Sequence, residues 1–218
     1  LEFESQYFRD KEPGGIYESS PGLTDRNGGR FAMIKVTQMY DSRNSNVFPT
    51  QGLYARARFG LAPNIFGGDS FKGTLFTADV RKFQSLTKNL VWGNQVVFES
   101  VSSPNPLPFY VLRQMGSDEL MRGYYMGRFR DKNYLAFQSE LRWRFSERFG
   151  IVAFGGTGTV YGKQSFSTDR LKPNYGIGGR FFFDLDKNLA VRFDYGLGEK
   201  PVGEKRISGF YIAVSEAF

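Results

Sequence analysis

Neither cysteine nor histidine occurs anywhere in the 218 residues. Their absence removes disulfide staples, thiolate nucleophiles, zinc sites built on Cys or His, and any histidine general base. No enzymatic activity, cofactor or metal site is therefore expected. Also missing is any run of the roughly 18–20 consecutive apolar residues that a membrane-spanning helix needs. A mean hydropathy of −0.40 reads as that of a water-soluble protein, but one membrane class escapes such averages. A transmembrane β-barrel alternates lipid-facing and lumen-facing residues, so its mean hydropathy is ordinary. The opening LEFESQYFRD is charged from its second residue and does not read as a signal peptide, so an exported protein of this sequence is expected to be mature or truncated. The net charge of +7 comes from basic residues scattered through strand-like segments rather than gathered on a helix or tail, and no nucleic-acid partner is expected.

What the chain has in abundance is aromatic residues and glycine: 23 Phe, 12 Tyr and 26 Gly. The dominant pattern is alternation with period 2. NLAVRFDYGLG sets Leu189, Val191, Phe193, Tyr195 and Leu197 against Ala190, Arg192, Asp194 and Gly196. YLAFQSELRWRF sets Leu135, Phe137, Leu141, Trp143 and Phe145 against Gln138, Glu140, Arg142 and Arg144. Similar alternation over Tyr175–Asp184 and Leu53–Phe59 extends the pattern. It predicts strands near 30–41, 52–61, 70–84, 89–101, 133–146, 149–162, 174–185, 188–198 and 206–218, with a tenth at 1–9. Short turns such as FSERFG and DLDKN alternate with long polar connections at 10–29, 102–131 and 162–173. The fold class is all-β, an antiparallel up-and-down meander.

Two features favour a transmembrane barrel over a soluble sandwich. The apolar face is aromatic near strand ends, where an interfacial girdle belongs. The chain also ends in GFYIAVSEAF, which places Phe210, Ile212, Val214 and Phe218 on one side of the last strand. A terminal aromatic closing an alternating strand resembles the signal by which bacterial outer-membrane barrels are recognised for assembly. The charged face then lines the lumen, with Glu140, Asp184 and Asp194 as candidate partners for Arg56, Arg58, Arg142, Arg144, Arg180 and Arg192. A single domain of about ten strands is expected over residues 1–218. It closes if the first segment pairs with the last, and the alternative is the C-terminal part of a 16-stranded barrel.

Two motifs narrow the family. In YDSRNSNVFPTQG, an Asp-x-Arg at a strand end (Asp41, Arg43) is followed by Pro49 and by Gly52 entering the next strand. Within the long connection stands Met121-Arg122-Gly123-Tyr124. Over about residues 30–218 the sequence resembles the outer-membrane protein assembly-factor family of BamA and the bacterial surface antigens. Asp41, Arg43, Pro49 and Gly52 match that family's strand–turn–strand signature, and Met121–Tyr124 its loop motif of aliphatic residue, Arg, Gly and aromatic. The resemblance implies a loop folded back into the lumen, with Arg122 held by acids on inward strand faces, one of them Glu140. The second family acid, in Phe-x-Asp-x-Gly, is replaced by Gly156 in Phe154-Gly155-Gly156-Thr157-Gly158. It further implies an integral protein of the outer membrane of Gram-negative bacteria, in contact with the lipid bilayer and with client outer-membrane proteins or accessory assembly proteins. Its expected role is to assist insertion or translocation of outer-membrane proteins. The alternative is a stand-alone structural, anchoring or pore-forming barrel.

Overall fold

A computed structural model describes residues 2–7, 28–67 and 71–218. The main sheet runs in chain order through β1 (Glu2–Tyr7), β2 (Gly28–Asp41), β3 (Gly52–Ala62), β4 (Gly73–Ser85), β5 (Leu90–Ser102), β8 (Asn133–Trp143), β9 (Phe149–Tyr161), β10 (Lys172–Asp184), β11 (Leu189–Leu197) and β12 (Ser208–Val214). Two short strands, β6 (Arg113–Met115) and β7 (Phe129–Asp131), pair with each other inside the long connection. Every pairing is antiparallel between neighbours, as the alternation and connections predict. From β2 to β11 the strands of the main sheet are 9 to 14 residues long. That meets the about 9–11 residues a tilted transmembrane strand requires.

The first segment does not close the barrel in the way expected. β1 pairs with the first half of β2, from Glu2↔Met33 to Tyr7↔Gly28. It does not pair with β12, whose second edge has no strand partner among the described residues. Alternation fixes which face a strand shows but not which neighbour an edge strand finds, so β1 joined the nearest free edge. Most of the predicted 10–29 connection lies outside the described residues.

The sheet nevertheless curls until distant strands face one another. Phe83 of β4 meets Phe218, beyond β12, at 5.8 Å between ring centroids, and Phe48 of the β2–β3 turn meets Phe182 of β10 at 5.2 Å. The interior is polar and the exterior apolar. Arg142, Arg180, Arg192, Glu140 and Asp194 are buried, whereas Phe137, Trp143, Ile177, Phe193, Phe210 and Ile212 are exposed. That inversion is unworkable in water, because so large a contiguous apolar surface requires an apolar surrounding. One end carries the connections 42–51, 86–89, 144–148 and 185–188, and the other carries 103–132, 162–171 and 198–207 together with the described residues 63–67 after β3. Trp143 and Phe145 (5.7 Å apart), with Phe149 and Phe181 (5.5 Å), form an aromatic cluster at the first end.

Candidate functional site: a loop latch in a ring of charges

The connection between β5 and β8 folds into the concave side of the sheet. Pro104, Pro106 and Pro108 stiffen its departure, the β6–β7 hairpin carries it inward, and residues 116–128 form its tip. Met115, Leu120, Met121 and Tyr124 pack on Val97, Tyr134 and Ala136 of β5 and β8, burying the loop's apolar side chains. At about 1.5–3 kcal/mol for each large apolar side chain removed from water, this cluster holds the loop in place.

The tip depends on glycine at one contact. Gly123 has φ +106°, and a Cβ there would lie 2.9 Å from the Leu197 carbonyl carbon. Reciprocally, a Cβ on Gly196 would lie 2.6 Å from the Arg122 carbonyl carbon. The tip and β11 thus touch backbone to backbone, which only paired glycines allow. Met121 also holds a left-handed φ, of 56°. The Gly123 N–H donates to the Tyr211 hydroxyl on β12 at 2.8 Å. Tyr124 donates its hydroxyl to the Pro173 carbonyl (2.8 Å) and accepts from the Glu199 N–H (2.9 Å). Burial raises the Tyr124 pKa to about 12, which keeps that hydroxyl a donor.

Arg122 is completely buried. It donates through Nη2 to Glu140 Oε1 and through Nη1 to Asp194 Oδ2 at 2.6 Å, and its guanidinium lies 3.5 Å from the Phe154 ring centre. From there the charges close on themselves. Glu140 accepts from Arg142 at 2.9 Å; Arg142 lies 3.9 Å from Glu216; Glu216 accepts from Arg180 at 2.9 Å; and Arg180 donates to Asp194 at 2.6 Å. Three arginines and three carboxylates alternate in a neutral ring contributed by the loop, β8, β10, β11 and the segment after β12. Arg192 adds a spur, bonding Asp194 at 2.9 Å and the loop's Asp118 at 2.7 Å. Charge-assisted bonds of this kind are strong and directional. A buried ion pair adds little net stability over an apolar pair, so the ring's main physical effect is to select one docked geometry.

The acid absent at Gly156 is therefore supplied elsewhere. A Cβ on Gly156 would collide with the Phe137 carbonyl oxygen and approach Asn174 Oδ1 at 2.8 Å. Asn174, on β10, occupies that space and donates to the Arg122 carbonyl at 3.4 Å. Asp194 approaches Arg122 from β11 instead. A Cβ on Gly178 would collide with the Asp194 carboxylate, so that glycine makes room for it. Among the other proposed pairs, Asp184 accepts from the Lys187 N–H in the β10–β11 turn rather than from an interior arginine. Arg56 lies 3.6 Å from Asp79 of β4, Arg58 donates to Thr37, and Arg144 donates to Asn188 in the turn region.

The strand–turn residues form a second cluster. Arg43 makes a two-point contact with Asp41, at 3.0 and 2.8 Å, and stacks on Tyr54 at 4.6 Å. Pro49 is buried, and Gly52 takes φ +112° with Arg43 Cα 2.7 Å from where a Cβ would stand. The C-terminal residues divide. Phe210, Ile212 and Val214 face outward, but Phe218 does not share their side. Ser215 takes φ 74°, which breaks strand parity and turns the following residues inward. Phe218 is buried against Phe83, and its main-chain oxygen accepts from Arg142 at 2.9 Å. The same reversal puts Glu216 in the ring. Glu216, Tyr211, Asn174 and Asp118 carried no motif. Only the inward parity of Tyr211 and Asn174 could have flagged them. Among the described residues no cluster of acidic side chains is arranged to hold a metal ion.

A curled antiparallel meander with an aromatic apolar exterior, its interior occupied by an arginine-bolted loop, defines a β-barrel of the outer-membrane type. The Omp85 superfamily domain matches residues 13–218, and the chain belongs to that superfamily. No curated protein matches it. Among solved structures it is similar to BamA from Haemophilus ducreyi lacking POTRA domains 1–3, with a TM-score of 0.69 at 16% identity. The match covers 91% of this chain and 46% of that one, so the chain spans less than half of that protein's length.

Proposed function

We propose that this Omp85 barrel assists the insertion or translocation of outer-membrane proteins, and does so without catalysis. The observation that carries the reading is the attachment of the loop tip to the last strand. Arg122 and Gly123 dock beside β11, and the Gly123 N–H is held by Tyr211 of β12. The latch therefore bears on the strand whose second edge has no strand partner among the described residues, and unpaired edge groups are what template an incoming strand. The polar cavity of about 480 Å3 between the loop and the inner faces of β3–β5, lined in part by Arg56, Asp79, Gln95 and Glu99, favours the alternative, a pore-forming barrel.

Reconstitution in liposomes separates the two. An assembly factor accelerates the folding of an added client barrel, read as the gel-mobility shift of the folded form, and loses that acceleration on Arg122→Ala. Client folding at the protein-free rate, together with ion conductance through the liposome wall, would overturn the proposal in favour of the pore.

A further inference from the structure

On the exterior, between β8 and β12, lies an open groove of about 530 Å3. Its floor is made of small residues, Ala153 of β9 and Gly179 of β10, set diagonally across one strand pairing. Leu141 and Trp143 of β8 form one wall, and Phe193 of β11 and Phe210 of β12 the other. No charged side chain lines it, and its volume falls within the about 300–1,000 Å3 of sites that hold small molecules.

The glycines of β10 differ in what requires them. A Cβ on Gly176 would collide with the Tyr195 carbonyl oxygen, and one on Gly178 with Asp194. A Cβ on Gly179 would meet nothing within 4 Å, and Gly179 lacks a left-handed φ. Glycine weakens a strand, and neither packing nor backbone geometry demands it here. What it does is leave a hollow in the middle of an otherwise bulky apolar wall.

We propose that this groove binds one acyl chain of a membrane lipid. The occupant must be apolar, because the lining offers no ion-pair partner, and the groove is continuous with the exposed apolar face around it. That face meets hydrocarbon under the outer-membrane reading of the fold, on which this inference rests. Trp143, in the aromatic cluster at the short-turn end, sits where a headgroup would leave the hydrocarbon. A chain seated against Phe193 and Phe210 would lie alongside the last two strands, where the latch also bears.

The chain has two tryptophans, Trp92 and Trp143, so Trp92→Phe leaves a single reporter in the groove wall. That variant is refolded from urea into liposomes containing rising fractions of lipid brominated in its acyl chains, and Trp143 fluorescence is recorded. A bound chain gives quenching that saturates at a low brominated fraction. Adding Gly179→Leu, or separately Ala153→Leu, fills the floor and moves the half-maximum several-fold higher, toward simple proportionality. Proportional quenching that neither filling variant alters overturns the groove and leaves the lipid-facing wall intact. No quenching at any fraction in folded protein overturns both.

Discussion

Asp194→Asn tests whether a carboxylate from β11 has taken over the work of the acid absent at position 156. The substitution keeps shape and removes one negative charge from a neutral ring. Asp194 accepts from Arg122 and Arg180 at 2.6 Å each and from Arg192 at 2.9 Å. Removing one partner of a buried ion pair costs about 3–5 kcal/mol. Here each arginine keeps a second acid: Arg122 keeps Glu140, Arg180 keeps Glu216, and Arg192 keeps Asp118. The expected loss is at the low end, about 3 kcal/mol, a roughly 100-fold fall in the folded-to-unfolded ratio. Urea titration of the protein folded in liposomes, followed by gel mobility with and without heating, measures it. A cycle with Arg122→Met should give a coupling energy within about 0.5–3 kcal/mol, the range for groups in one network. An unchanged midpoint for Asp194→Asn, beside a lowered one for Glu140→Gln, would show that Arg122 is held from β8 alone.

Gly156→Asp, which restores the family residue, should lower stability in the same titration because its Cβ collides with the Phe137 carbonyl; a gain would mean that the loop re-docks. Gly123→Ala should cost about 1–3 kcal/mol through its left-handed φ and its contact with β11; an effect within error would contradict the backbone-to-backbone contact. Phe193→Arg should reduce folding yield in liposomes by placing a charge on the lipid-facing wall, a cost of about 2–4 kcal/mol at mid-bilayer. Arg192→Met should be milder, since Asp194 retains two arginines and Asp118 is half exposed; equal yields for the two variants would reverse the face assignment. Tyr211→Phe removes only the acceptor of the Gly123 N–H. Because the buried Gly123 N–H is left without its acceptor, the change should cost about 1–3 kcal/mol in the urea titration and slow client folding, and unchanged client folding would uncouple latch from strand.

The strands were legible because alternation is a local signal: each segment declares its own two faces, whatever its neighbours do. Contacts across the lumen are not local. Parity shows that Asp194 points inward, but nothing in the sequence says that an arginine 72 residues earlier reaches it. The same limit explains β1, whose alternation is silent about which free edge it joins. At the C-terminus the pattern misleads for a different reason. Extending it through Ser215 puts Glu216 and Phe218 on the lipid side, whereas one left-handed φ at a non-glycine residue sends both into the lumen. That local reversal joins the two ends of the candidate site. Through Glu140, Arg142 and Glu216, the arginine at the loop tip shares its ring with the segment that follows the last strand. Withdrawing the loop would leave Asp194 to Arg180 and Arg192, and Glu140 to Arg142 alone. Arg122 and Asp118 would leave together, so the remaining charges stay balanced, but Glu140 and Asp194 would each lose an arginine, Arg192 would lose its second acid, and Tyr211 would lose the amide it accepts from. The loop cannot leave without disturbing the electrostatics beneath the last strand, and a movement of β12 reaches the latch by the same residues.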